Sequence, residues 1–596
     1  MIIDKLSNEF YYHFFGGTLN NAYEYFGAHL KKRDNEIVGC EFLVYAPNAT
    51  KVCLIGEFNN FKEQLMEEIK KGFYYIYIEK NIEYLQYKYV IHTKTEILYK
   101  ADPYAFYAQL RPGNDSIVYD ITKLNKKEYK RENDKNKPMS IYEVHLGSWK
   151  NRFPKYNELD ELINYLKDNN FTHLEILPIY EHPLDESWGY MGTGYYAPTS
   201  RYGQPHEFLE FINSLHENNI KIILDWVPGH ICRDSFGLYK FDGSYLYEYD
   251  YYDIRENIEW GTANLDFSKG ITRSFLISNC MYYLKYYNID GFRVDAVRNL
   301  IYYLGNENRG INNSSINFLK QLNKIIKEYD ENVITTAEDS SAYLGVTHKN
   351  GLGFDYKWNM GWMNDTLKYF ELDFDQRKYN HHLITFGLSY VFNENYILPI
   401  SHDEVVHLKK SLFTKMKGNY FEKFSSLRLF LGLMFTHPGK KLLFMGSEFG
   451  VTNEWCCNDV LNFSILKEQH NQKIHKYFKD LNYLYVNELS LHNDNASGFN
   501  FIDCSNDKSI FIYQRKYKDE EILVVINALP ILYNNYKIGV SSLEYKEIFN
   551  SDNQIYGGEN HLNNYVLVID GKYHNQKNCI DIKVPPLSIV ILKSTK

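Results

Sequence analysis

The chain has 596 residues, 44% hydrophobic and 24% charged, with a formal net charge of −9. That length is too great for one hydrophobic core and predicts two to four domains. The acid excess speaks against binding a nucleic-acid backbone, and no apolar run reaches the roughly 18 residues of a membrane span. The start, MIIDKLSNEFYYHFF, lacks the basic-then-apolar order of a secretory signal. Eight scattered Cys without a C-x-x-C pair argue against a disulfide scaffold, zinc or redox chemistry. A cytoplasmic protein with reduced thiols is expected. The 55 Tyr fit codon bias, since Lys, Asn and Ile are also frequent.

In chain order, the first hundred or so residues read as β. CEFLVYAPNATKVCLIGEFNNF holds two short β-branched and aromatic runs, and GFYYIYIEK and LQYKYVIHT continue the pattern. Strands at this spacing predict a small β-sandwich. RPGNDS and the charged NKKEYKRENDKNKP read as an exposed linker.

From about residue 140 short apolar runs alternate with helical segments. The runs are SIYEVHLGS, THLEILPI, KIILDWVP, IDGFRVDA, NVITTAED, LGFDYKWN, YILPISHDE and KKLLFMGSE. Eight alternations over roughly 350 residues predict a (β/α)8 barrel of the TIM type. A doubly wound sheet would call for a G-x-G-x-x-G after its first strand, and none occurs. The last hundred residues return to β in SIFIYQRK, EILVVINAL, YVLVID and CIDIKVPPLSIVILK. The expected fold class is therefore α/β. The expected domains are an N-terminal β-sandwich over 1–112, a catalytic barrel over 113–490 and a C-terminal all-β sandwich over 491–596.

A barrel of this kind carries its active site at the carboxyl ends of its strands. Polar residues gather there: Asp225 and His230 at strand three, Arg293 and Asp295 at strand four, Glu338 at strand five, His402 and Asp403 at strand seven. Singly, each is an ordinary cap, turn or hydrogen-bonding residue. Together at one rim they predict a pocket. Asp339 and Glu404 read as solvated loop residues. In GFRVDAV the alternation predicts Gly291, Arg293 and Asp295 facing inward, and Phe292, Val294 and Ala296 facing the helices. Several carboxyl groups, an Arg and two His without a phosphate loop suit glycosidic-bond chemistry, which needs a nucleophilic carboxylate and a carboxylic acid. A metal-dependent hydrolase would want H-x-H or H-E-x-x-H, and neither occurs.

DWVPGH, GFRVDAV, AED and SHDE, in this order, resemble the signature regions of the α-amylase superfamily of retaining (β/α)8 enzymes. YEVHLGSWK, WGYMGTGYYAPTSRYG, GFDYKWNMGWMNDTLKYF, LPISHDEVVH and HPGKKLLFMGSEFG narrow the resemblance to 1,4-α-glucan (glycogen) branching enzymes. FLVYAPNATKVCLIGEFNNF and KADPYAFYAQLRPG resemble that family's N-terminal glucan-binding-type sandwich. The resemblance implies Asp295 as nucleophile, Glu338 as general acid/base and Asp403 as transition-state stabiliser. It implies sugar contacts from His230, His402 and Tyr190, with Asp225 and Arg293 organising the site and Trp188 and Trp455 touching glucan. Linear and branched α-glucan are the implied partners, with no cofactor, no metal, no nucleic acid and no membrane, acting as a monomer. A hydrolase of the same superfamily and an inactive glucan-binding protein are the alternatives. The chain departs from the family at Leu408, where relatives carry a small residue, and at VTNEWCCNDVLNF, FNNF and WGYMGTGYY.

Overall fold

A computed structural model of the chain describes residues 1–595. Lys596, the last residue of the expected C-terminal domain, lies outside them. Eight parallel strands close into a barrel: β1 (Ser140–Val144), β2 (His173–Ile176), β3 (Lys221–Trp226), β4 (Gly291–Val294), β5 (Ile334–Ala337), β6 (Tyr356–Trp358), β7 (Tyr396–Ile400) and β8 (Lys440–Phe444). Each lies within one of the eight apolar runs. Helices follow all of them except β5, where turns and loop lead directly to β6. By contact density the chain divides into two compact units. One comprises Met1–Glu132, Phe153–Glu161 and Ile176–Phe354; the other comprises Asn133–Arg152, Leu162–Glu175 and the chain from Asp355 onward.

The first unit opens with two antiparallel sheets. One has the order Gly27–Arg33, Glu36–Tyr45, Phe73–Ile78, Glu67–Lys70. The other runs from Gln64–Leu65 through Lys51–Gly56 and Gln86–His92 to Ser116–Ile117 and Tyr107–Ala108. Ser116 pairs with Tyr87, so this sheet continues past residue 112. The stretch read as an exposed linker is mostly exposed but tied down at Arg131, which is buried. Its guanidinium donates to the carbonyls of Ile289 and Leu284 and pairs with Asp330.

The helices of this unit form where apolar residues recur at helical spacing. Pro205–Glu217 has Pro in its first turn and buries Phe208, Leu209, Phe211, Ile212 and Leu215. Asn313–Tyr329 is capped by the Asn312 side chain, which accepts from Ser315 N–H. Gly270–Tyr287 buries most of its circumference. β3, β4 and β5 pair in parallel with Asp225, Arg293 and Thr336 at one level.

In the second unit the helix Tyr420–Thr436 is almost wholly buried. Gly432 on it is approached by Ile589 of the C-terminal strand Ser588–Ser594. The C-terminal region forms a five-stranded antiparallel sheet and a three-stranded one. They share an apolar core that includes Ile512, Leu523, Val525, Ile538, Ile580 and Val590.

Gly291 sits on β4 opposite Ile334 of β5. A Cβ there would lie 2.5 Å from the carbonyl oxygen of Ile334 on β5. The glycine is needed for close strand approach rather than for space beneath the charges. Gly291→Ala should therefore cost about 1–3 kcal/mol through forced strand separation. Thermal unfolding of the purified variant measures this; an unchanged melting temperature would contradict it.

Candidate active site

The first unit gathers four charged side chains on or directly after β3, β4 and β5. Arg293 is buried, and its Nη1 donates to both oxygens of Asp225, at 2.7 and 2.8 Å, and to Asp295 Oδ1 at 2.7 Å. Nη2 lies 3.8 Å from Glu338 Oε2. Burial works against the charge of this guanidinium, but Asp225, Tyr190, Asp295 and Glu338 outweigh it and hold the group well above its ordinary pKa. The Tyr190 hydroxyl donates to Asp225 Oδ2.

The strand ends before Asp295. The Asp295 N–H is held by the Trp226 carbonyl at 2.9 Å. Ala296, expected to face outward along the strand, instead occupies a left-handed turn with φ 48°. That turn aims its N–H at Glu338 Oε2, 2.7 Å away, while Val297 N–H donates to the Glu338 carbonyl. A non-glycine residue in this conformation stores of order 1 kcal/mol or more of strain. Here it fixes the carboxyl group that faces Arg293.

His230 opens a short strand, His230–Ile231, in a three-stranded insertion after β3 rather than ending a barrel strand. It is buried, its Nδ1 has no partner among the described residues, and burial lowers its pKa to about 4. The ring is therefore neutral near pH 7. Trp260 packs on it at 5.0 Å. Trp188 sits in a left-handed turn at φ 55° just before Tyr190, both half-buried. The intervening Gly189 has φ 96°, and a Cβ there would strike the Pro178 carbonyl.

In the second unit, β7 ends at Ile400 and a short 3-10 turn spans His402–Val405. His402 is buried and bonded twice to Glu143 of β1, Nδ1 to Oε1 at 2.7 Å and backbone N–H to Oε2 at 2.9 Å. Asp403 stands half open, with 47% of its side chain exposed against 14% for Asp295 and 16% for Glu338. Its Oδ1 lies 3.6 Å from His402 Nε2. Trp455 is half-buried; its indole N–H donates to Ser148 Oγ, and its ring stands edge-on to Phe444 and His145. Three consecutive-turn residues beyond Asp403, His407, Leu408 and Lys410, have positive φ. Leu408 is thus an exposed side chain on backbone that favours a small residue.

The two acids read as solvated are buried. Asp339 accepts from the N–H and hydroxyl of Ser341 and caps that turn. Glu404 caps the turn after β7, with Oε2 accepting from Ser401 N–H and Oγ, both at 2.7 Å. Burial, then the neighbouring Asp403, raises the Glu404 carboxyl to about 7. Glu143 was not singled out from the sequence; an acid within an apolar strand run is the signal that identifies it. Among the described residues, the grouping that could ligate a metal is Cys53, Glu63 and His92. There the Lys51 ammonium already sits 2.9 Å from Glu63 Oε2, where a cation would have to displace it.

Arg293→Met should destabilise the fold by about 3–5 kcal/mol at pH 7, because it leaves Asp225 buried without its cation. Orphaned carboxyl groups gain raised folded-state pKa values, so the deficit should shrink as pH falls toward 4. Denaturant unfolding at both pH values checks this. Glu404 favours folding fully below its unfolded value near 4.5, and that contribution fades as pH rises through about 7. Glu404→Gln should therefore flatten the dependence of melting temperature on pH between 5 and 7; an unchanged slope counts against the assignment.

Three family descriptions match the chain. They are carbohydrate-binding module 48 (isoamylase N-terminal domain) at residues 25–105, the alpha amylase catalytic domain at 155–260, and the alpha amylase C-terminal all-beta domain at 501–595. The pullulanase of Anoxybacillus sp. LM18-11, solved with maltotetraose, shares the fold with a TM-score of 0.72 at 18% identity, over 96% of this chain and 87% of its own. A 1,4-alpha-glucan branching enzyme of Bacillus cytotoxicus is 46% identical over 96% of this chain and 93% of its own length. One from Bacillus cereus strain Q1 is 44% identical over 100% of this chain and 94% of its own. With such identity along its whole length, the chain belongs to the 1,4-alpha-glucan branching enzymes.

Proposed function

We propose that this chain cleaves α-1,4 bonds in a linear glucan and joins the released chain to a 6-hydroxyl, forming α-1,6 branches by retaining double displacement. The observation that carries the mechanism is the shared guanidinium: Asp295 and Glu338 both border Arg293. A retaining mechanism calls for carboxyl groups roughly 5–5.5 Å apart, and a shared guanidinium keeps these two near one another.

Arg293 engages Asp295 Oδ1 and keeps the carboxylate charged, and Oδ2 is assigned the attack on the anomeric carbon. As that bond forms, the glycosidic C–O bond breaks and Glu338 gives its proton to the departing oxygen. Glu338 Oε2 accepts the Ala296 N–H, so the transferred proton is assigned to Oε1. In the second step Glu338 removes the proton of an incoming 6-hydroxyl, whose oxygen displaces Asp295. Asp403 is assigned to hold sugar hydroxyls as positive charge develops. His402, His230 and Tyr190 are each assigned sugar contacts, with Asp225 anchoring Tyr190 and Arg293. Trp188 and Trp455 are assigned further glucan contacts. The N-terminal module is assigned to glucan binding. A monomer in the reducing cytoplasm, without nucleic acid or membrane, completes the proposal; free thiols at all eight Cys fit it.

Incubation with amylose should lower iodine absorbance with few new reducing ends, and isoamylase should then release short chains. Reducing ends rising in step with colour loss would instead identify a hydrolase. Asp295→Asn should lose on the order of 10⁴–10⁶-fold in turnover, with its circular-dichroism melt retained. Near-normal turnover would remove Asp295 from the nucleophile role.

A further inference from the structure

Glu143 lies one residue from the carboxyl end of β1 and is fully buried. Its two side-chain oxygens serve one residue. Oε1 meets His402 Nδ1 at 2.7 Å, and Oε2 accepts the His402 backbone N–H at 2.9 Å. Among the described residues no lysine or arginine pairs with it. A buried carboxylate is costly unless hydrogen-bonded or paired. Here the imidazole and the peptide N–H supply that compensation.

We propose that Glu143 is a positioning residue for the branching reaction: it pins a proton on His402 Nδ1 and turns Nε2 toward Asp403. A carboxylate only accepts, so the ring nitrogen facing it must donate. The opposite nitrogen, 3.6 Å from Asp403 Oδ1, is then the one presented to substrate. Phe444, at 6.1 Å, and Trp455, at 6.4 Å, stand edge-on to the ring and limit its rotation. The position of the proton is thus set by a strand that carries none of the proposed reacting groups. The sugar as ligand of Nε2 rests on the branching-enzyme reading; the proton position does not.

Glutamine at this position makes a sharp test, because it keeps the volume but offers one acceptor and one donor. Two donors now face it. The peptide N–H cannot give up its proton, but the imidazole can change tautomer. Glu143→Gln should therefore move the proton from Nδ1 to Nε2. The probe is ¹⁵N NMR of enzyme labelled in its histidine rings, with the His402 signals assigned by their loss in His402→Ala. In the wild type, Nδ1 should carry a proton; in Glu143→Gln the two nitrogen shifts should exchange. Branching turnover should fall about 10- to 100-fold, with a smaller change in KM for amylose. The double variant Glu143→Gln/His402→Ala should be no slower than His402→Ala alone.

A wild-type spectrum with unprotonated Nδ1 overturns the proposal, even if the glutamine variant fails to fold. So does a glutamine variant that folds and retains turnover within twofold, or losses that multiply in the double variant. A wild type that makes no branches but shows the protonated Nδ1 would overturn the functional reading while leaving the positioning role intact.

Discussion

One buried guanidinium sets the terms for the first unit. Arg293 touches Asp225 and Asp295 and borders Glu338. Three carboxyl groups this close would repel one another and protonate without it. The barrel supplies what the cation needs. Parallel pairing puts Asp225 and Arg293 at one level on neighbouring strands, within reach of the contact in which Nη1 donates to both Asp225 oxygens. Asp295 and Glu338 follow the ends of their own strands and reach the same group. The desolvation cost is offset by ion pairs whose geometry the sheet imposes.

Backbone detail turns this charge cluster into usable chemistry. The left-handed turn at Ala296 orients one N–H onto Glu338, which separates the roles of that residue's two oxygens. Gly291 lets β4 approach β5 closely beneath these groups. The second unit solves a parallel problem differently. There a buried carboxylate, Glu143, is matched by an imidazole and a peptide N–H rather than by a full cation. Asp403 beside them keeps half its surface open.

Much of this was legible in the sequence because periodicity and charge told one story. Apolar runs alternating with helical segments located all eight barrel strands, and acids closing those runs marked Asp225, Asp295, Glu338 and Asp403. What was hidden depends on three-dimensional burial. Asp339 and Glu404 look like loop acids but are caps folded inward, each accepting from the N–H and hydroxyl of a serine in its own turn. Ala296 gives no signal for positive φ, because alanine does not favour it. Glu143 sits in a run that reads simply as strand, and its partner is distant in the chain. Gly291 is legible as a strand residue, but its purpose follows from the neighbouring backbone.

That distance has a consequence for synthesis. Glu143 and His402 are separated by 259 residues, and β1 must also wait for β8, where Ser140 pairs with Lys441. At ribosomal speeds of about 5–20 residues per second, roughly 13–50 s pass between the emergence of the acid and that of its histidine. Throughout that interval β1 lacks one of its two barrel neighbours, and its carboxylate lacks its histidine partner. The strand cannot be buried early without cost. A carboxylate in this strand thus makes burying β1 costly for as long as its histidine partner is missing.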